Sequence, residues 1–270
     1  MNFWLIHENS AASPEIAALS ATMILTITHK ELKILLGSPA AWIVLALVQV
    51  VLTWTFLAHL EAFLEIQPQL LKIANPPGVT EAIIAPVFAM ASAVLLMITP
   101  LFAARLIAEE RRNHTLVFLL SAPVSVVEIV LGKFLSLLIL LSLVIVLATF
   151  LSISLLAGGT LDFGLLLSNI AGLLLVSACL ASFGLYISTL SSHPTLAAAT
   201  ALGILLGLWV VDMAAEDEQA ASIGYISPLS RYQNFNKGFV DTFDLAYFLL
   251  FALVFLVLAI RRMDGERIGG

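Results

Sequence analysis

The sequence predicts an all-α polytopic membrane protein: an N-terminal amphipathic helix and six transmembrane helices, with both termini cytoplasmic. Three observations carry this. Hydrophobic residues make up 61% of the chain and charged ones only 11%, with a mean hydropathy of +1.07, whereas a soluble domain carries about 25% charged residues. The charges are clustered, leaving Ile34–Leu60, Ala82–Ala104, Phe134–Leu161, Phe163–Val211 and Leu245–Ile260 without Asp, Glu, Lys or Arg. The Lys and Arg residues are also shared unequally between the two sides that such spans define.

Each charge-free stretch is a span candidate, because a helix needs roughly 20 apolar residues to cross a core about 30 Å thick. Phe163–Val211 is too long for one crossing, and Ser191-Ser192-His193-Pro194 interrupts it with a polar turn and a helix-stopping proline. Six spans follow, near 41–60, 83–105, 133–156, 165–190, 195–212 and 245–260. An even number puts both termini on one side. That side collects Lys30, Lys33, Arg105, Arg111, Arg112, Lys133, Arg261, Arg262 and Arg267, against Lys72, Arg231 and Lys237 on the other, so it is cytoplasmic.

Residues 1–19 form an N-terminal extension with no signal peptide, and the first span serves as the insertion signal. Residues 20–37 read as an interfacial helix, with Thr22, Thr26, His29, Lys30 and Lys33 in one arc. Glu31 projects into the apolar arc beside Ile24, Ile27 and Leu35. It either finds a partner or snorkels to the headgroups.

The six-span region covers 38–262. Its longest cytoplasmic connection, 105–134, continues the second helix through Glu109-Glu110-Arg111-Arg112 and then carries an apolar strip, Leu116-Val117-Phe118-Leu119-Leu120. Ala122-Pro123 stops that strip. Ser125 precedes Glu128 by the capping-box spacing and starts the next helix. An apolar strip outside the membrane wants headgroups or a protein groove. The external loop, 213–244, is aromatic enough to dip into the interface, and Asp241 is placed to cap the last helix. A short tail, 263–270, closes the chain.

The net charge of −6 comes largely from outside acids such as Glu216-Asp217-Glu218, which argues against nucleic acid as a partner. Gly132-Lys133 lacks the other residues of a phosphate loop, so no Walker motif is present. The histidines are scattered, and the single cysteine, Cys179, lies inside a span as a small core residue. Met90 and Met97 share a helix face, for packing rather than for a soft metal. With no formal charge inside the spans, ion-coupled transport has no relay. Gly203 and Gly207 in the fifth span permit close helix approach, as helix or dimer packing or as a substrate lining. Ser191, Ser192 and His193 are too close in one turn to form a nucleophile and its base.

Ala108-Glu109-Glu110-Arg111-Arg112, Thr115-Leu116, Leu119-Leu120, Ala122-Pro123-Val124 and Ile129-Val130-Leu131-Gly132-Lys133-Phe134 together resemble the coupling-loop signature of type-2 ABC permeases. The order of elements fits too, from an elbow helix with Lys30-Glu31-Leu32 to a large external loop before the last span. Ser227-Pro228, Phe235, Gly238-Phe239-Val240-Asp241 and Asp244-Leu245-Ala246-Tyr247-Phe248 resemble the gliding-motility-like subfamily. One departure is His114, where the family usually has glycine.

The resemblance implies a permease subunit of a bacterial inner-membrane exporter, itself no enzyme. It has no cofactor of its own: ATP and Mg are bound by a separate ABC ATPase present in two copies. A second permease half, identical or homologous, completes the unit, with room for a further membrane or periplasmic subunit. The coupling loop, 106–132, meets the ATPase through Glu109, Glu110, Arg111, Arg112 and Thr115, with Leu116, Phe118 and Leu119 as an apolar plug ended by Pro123. An alternative function is a force-transmitting or assembly scaffold that translocates nothing.

Overall fold

The structure is a computed structural model and describes residues 14–70, 78–116, 124–157, 161–214 and 227–269. Among them all regular structure is helical. The described residues contain eight α-helices: α1 Pro14–Gly37, α2 Pro39–Leu70, α3 Ala85–Arg112, α4 Val126–Ser154, α5 Phe163–Leu190, α6 Pro194–Ala214, α7 Pro228–Asn236 and α8 Thr242–Gly269. A π-helical turn, Thr80–Ile84, runs directly into α3. Six of these described helices are long and apolar enough to cross a membrane, namely α2, α3 with its leading turn, α4, α5, α6 and α8. The protein is a multi-pass integral membrane protein.

Several boundaries follow from local chemistry. Ser125 and Glu128 form a reciprocal capping box, with Ser125 Oγ accepting from the Glu128 amide at 3.2 Å and Glu128 Oε2 from the Ser125 amide at 2.9 Å. α5 ends at Leu190 and α6 begins at Pro194, so the polar turn between them splits the long apolar stretch as the sequence predicts. In that turn Ser191 Oγ donates to the His193 carbonyl and accepts from its amide. The hydroxyl is thus held by backbone, not by the imidazole. Asp241 caps α8, its Oδ1 accepting from the Phe243 amide at 3.2 Å.

α5 is the central helix. Of its most apolar window 67% is buried, against 17% for α6. α3 packs on α5 so closely that a Cβ on Gly184 would stand 2.6 Å from the Ala103 Cβ. α8 meets α5 through aromatic edges, with Phe183 and Phe255 5.1 Å apart at 86°. At the bundle end away from the α3–α4 connection, α7 fills the gap over Gly172. There Tyr232 and Phe235 occupy the space a side chain would take. The Tyr232 hydroxyl donates to Asn169 Oδ1 at 2.9 Å, a pairing that satisfies both buried polar groups. Asp244 is buried beside α7, paired with Arg231 at 2.8 Å and accepting from Asn234 at 2.7 Å.

α6 rests on α3, and its Ala197 forms a small buried cluster with Ala104 and Ala108. Gly203 and Gly207 are turned the other way, exposed, and a Cβ added at either would meet nothing within 4 Å. Among the described residues nothing packs against them. Met90 and Met97 share an exposed face of α3, at 38% and 49% exposure.

Candidate functional site

The end of the bundle that carries the α3–α4 connection gathers most of the charge. A lysine there has no water to solvate it. Lys133, two turns into α4, is fully buried, which is costly for an ammonium unless every donor is matched. Its three N–H groups meet three acceptors: Glu31 Oε1 of α1 at 3.1 Å, Glu110 Oε1 of α3 at 2.8 Å and the Leu106 carbonyl of α3 at 2.7 Å. Lys30 lies 3.2 Å from the same Glu31 oxygen at the exposed edge. One ammonium therefore ties three helices together, and Glu31 has a partner rather than reaching for headgroups.

The approach of α1 to this centre depends on Gly132. A Cβ there would lie 2.6 Å from Ile27 Cγ2 and 3.3 Å from the Ile24 carbonyl. Thr28 Oγ1 donates to the Gly132 carbonyl at 3.2 Å. Thr28, Glu31 and Leu35 recur on one buried stripe at helical spacing, and that stripe faces α4.

The neighbouring residue on α3 turns to another partner. Arg111 Nη2 donates to both carboxylate oxygens of Glu266 on α8 at 2.7 Å, and its Nη1 reaches the Ser191 carbonyl at 3.4 Å. Ser188 of α5 is inserted beside the α3 backbone. Its hydroxyl donates to the Ala104 carbonyl at 3.1 Å and accepts from the Ala108 amide at 3.0 Å. The last turns of α3 are thereby fastened to α1, α4, α5 and α8.

α3 ends in a Schellman arrangement. The His114 amide donates to the Arg111 carbonyl at 3.1 Å and the Thr115 amide to the Glu110 carbonyl at 2.9 Å. His114 takes φ 57°, the left-handed position that glycine usually fills. The turn forms with histidine in that place. Thr115 Oγ1 also donates to the Glu110 carbonyl at 3.2 Å, which makes Thr115 a helix-end residue.

The four charges Glu109-Glu110-Arg111-Arg112 are thus not equivalent. Glu110 and Arg111 face inward to Lys133 and Glu266, while Glu109 and Arg112 are exposed. Leu116, expected in an outward apolar plug, is buried and joins the main core. Phe118, Leu119 and Pro123 lie outside the described residues.

Glu266 and Ser188 are participants that the sequence did not single out, and Lys133, read there as a cytoplasmic-side charge with no formal charge expected inside the spans, is instead a buried charge within α4. Lys133 was legible in principle, as a charge in a helix otherwise apolar for many residues. Glu266 and Ser188 gave no signal, because their partners are remote in sequence. Among the described residues no three His, Cys, Asp or Glu side chains gather as metal ligands would.

The chain also matches a known family. The family model described as ABC-2 family transporter protein matches residues 25–265. A comparison with curated proteins gives no match. The matched residues take in α1 from its middle, all six membrane helices and the ion centre, so the chain belongs to the ABC-2 transporter family, as a membrane permease subunit whose family implies an ABC ATPase partner.

Proposed function

We propose that the bundle end carrying the α3–α4 connection faces the cytoplasm and is where a separate ABC ATPase docks, and that ATP-driven closure of two ATPase copies drives export through a pair of these permeases. The observation that carries this reading is the buried Lys133 centre, which joins α1, α3 and α4 at 2.8 and 3.1 Å directly beneath that connection. A push on residues 113–125 enters α3 at a point where local flexing would unpair a buried charge, so the helices move as a body. The excess of Lys and Arg at this end supports a cytoplasmic orientation in a bacterial inner membrane.

Glu109 and Arg112 are the polar contacts to the ATPase in this reading, with Phe118 and Leu119 as its apolar contacts. Glu110, Arg111 and Leu116 hold the dock in place from inside. Movement then tilts α3 and α6. The open faces of Gly203 and Gly207 on α6 are where a second permease half, identical or homologous, packs. ATP and Mg belong to the ATPase, and this chain supplies no catalytic group. The motifs before α8 support placement near the gliding-motility-like permeases.

The test is purification of the tagged chain from its host membrane in mild detergent, followed by ATP hydrolysis in the eluate. An ABC ATPase and its activity are expected to accompany the permease, and activity is expected to drop in the E109R/R112E double variant at unchanged membrane abundance. Full activity in that variant would remove Glu109 and Arg112 from the dock.

A further inference from the structure

α8 is longer than a membrane crossing requires. Its apolar run stops at Ile260, yet the helix continues to Gly269, roughly two turns and a half further. The inner face of this extension is anchored, since Ala259 and Met263 are fully buried. Its last turn meets the α3–α4 connection at both ends. Glu266 takes the Arg111 guanidinium in a two-pronged pair at 2.7 Å, just before the connection leaves α3. Arg267, the next residue, donates from Nη1 to the Val124 carbonyl at 3.2 Å, just before α4 begins.

We propose that Glu266 and Arg267 are positioning residues that clasp both feet of the connection, making α8 a second arm through which its movement enters the bundle. Two adjacent residues of one helix turn reach two points 13 positions apart in sequence, Arg111 and Val124, so the separation of those feet is set from outside the connection itself. The Glu266 arm is the stronger. It is charge-assisted, one guanidinium nitrogen donating to both carboxylate oxygens, Arg111 and Glu266 are 20% and 28% exposed, and Arg262 adds a second cation 3.7 Å away. Arg111 also reaches the Ser191 carbonyl at the end of α5, so the clasp closes on the turn that leads into α6. From there the aromatic contact of Phe255 with Phe183 carries α8 and α5 together. The transmitting role rests on the ATPase-docking reading above, whereas the hold on the connection does not.

The experiment uses the full chain in lipid nanodiscs, as wild type, E266Q, R267A and the charge swap R111E/E266R, with thermal melts to establish that each is folded. Hydrogen exchange is followed in peptides covering 111–128. E266Q is expected to speed exchange there about tenfold, the response to losing a charge-assisted hydrogen bond, with the centres of the spans unchanged. The swap is expected to restore slow exchange, and R267A to act only near Val124. Unchanged exchange in E266Q, or no recovery in the swap, overturns the clasp.

ATP hydrolysis per bound ATPase is then measured on complexes purified from the host membrane. A fall in E266Q and recovery in the swap, at constant bound ATPase, supports the second arm; equal hydrolysis in all variants overturns it. If no ATP-hydrolysing chain accompanies the wild type, the docking reading fails, while the exchange data still decide the clasp.

Discussion

Lys133 and Glu31 meet at 3.1 Å across 102 positions of sequence, one on a membrane-spanning helix and the other on the helix that precedes all the spans. Without Glu31 the N-terminal helix would lose its charged tie to α4. With it, α1 shares a fully buried ammonium with α3, because Glu110 accepts from the same nitrogen. The helix outside the six-span domain is thereby part of the base on which the α3–α4 connection stands.

Removing the ammonium alone should be worse than removing the whole centre. K133M leaves Glu31 and Glu110 without their common partner and is expected to cost about 3–5 kcal/mol of stability, or folded protein altogether. The triple variant E31Q/E110Q/K133M, which buries no charge, is expected to recover most of the melting temperature. Fluorescence-detected melts in nanodiscs check both, and a K133M melt equal to wild type would show that the centre is hydrated and open.

Gly132 is expected to resist even alanine. The added methyl meets the Ile27 Cβ at 2.8 Å as well as its Cγ2, so a rotamer change cannot clear it and α1 must shift from α4. Overpacking of this kind costs about 1–3 kcal/mol. I27A in the same chain vacates part of that space, and the double variant should melt above G132A alone. A G132A chain as stable as wild type would contradict the close approach.

His114 offers the opposite sign. A side chain at φ 57° is strained relative to glycine by roughly 1–2 kcal/mol, partly offset by the greater freedom glycine has when unfolded. H114G should therefore keep or raise the melting temperature and slow exchange of the Thr115 amide, whereas H114V should lower and speed them respectively. Indistinguishable H114G and H114V variants would mean that the turn is not formed.

Gly203 and Gly207 separate folding from assembly. With open space around both, G203L/G207L should fold and melt as the wild type does. If the second permease half packs there, mass photometry of the purified complex should show the paired species lost. A pair retained with two leucines on that face would place the contact elsewhere.

Much of this architecture is legible in sequence because membrane helices are written locally. Charge-free runs, the turn at Ser191–Pro194, the Ser125/Glu128 capping box and the Asp241 cap each depend on residues within a few positions of one another. The candidate site was only half legible. Four consecutive charges read alike in sequence, yet one helical turn sends Glu110 to Lys133 and Arg111 to Glu266 while leaving Glu109 and Arg112 outward. Which face of α3 points where is set by how α3 packs on α5, through contacts such as Gly184 on Ala103, and no local pattern records that. Leu116 is a similar case: apolar and outside a span, it reads as a plug, but the Schellman turn at His114 brings it back to the core.

The docking reading is tested most directly by where an ATPase can be captured. A photo-crosslinking residue is placed at Arg112, exposed at the base of the α3–α4 connection, or at Glu61, exposed toward the far end of α2, and each variant is irradiated in its host membrane. The expected result is a covalent adduct with an ABC ATPase from position 112 and none from position 61. An ATPase adduct at Glu61, or none at Arg112 in chains that remain membrane-inserted, would contradict the account.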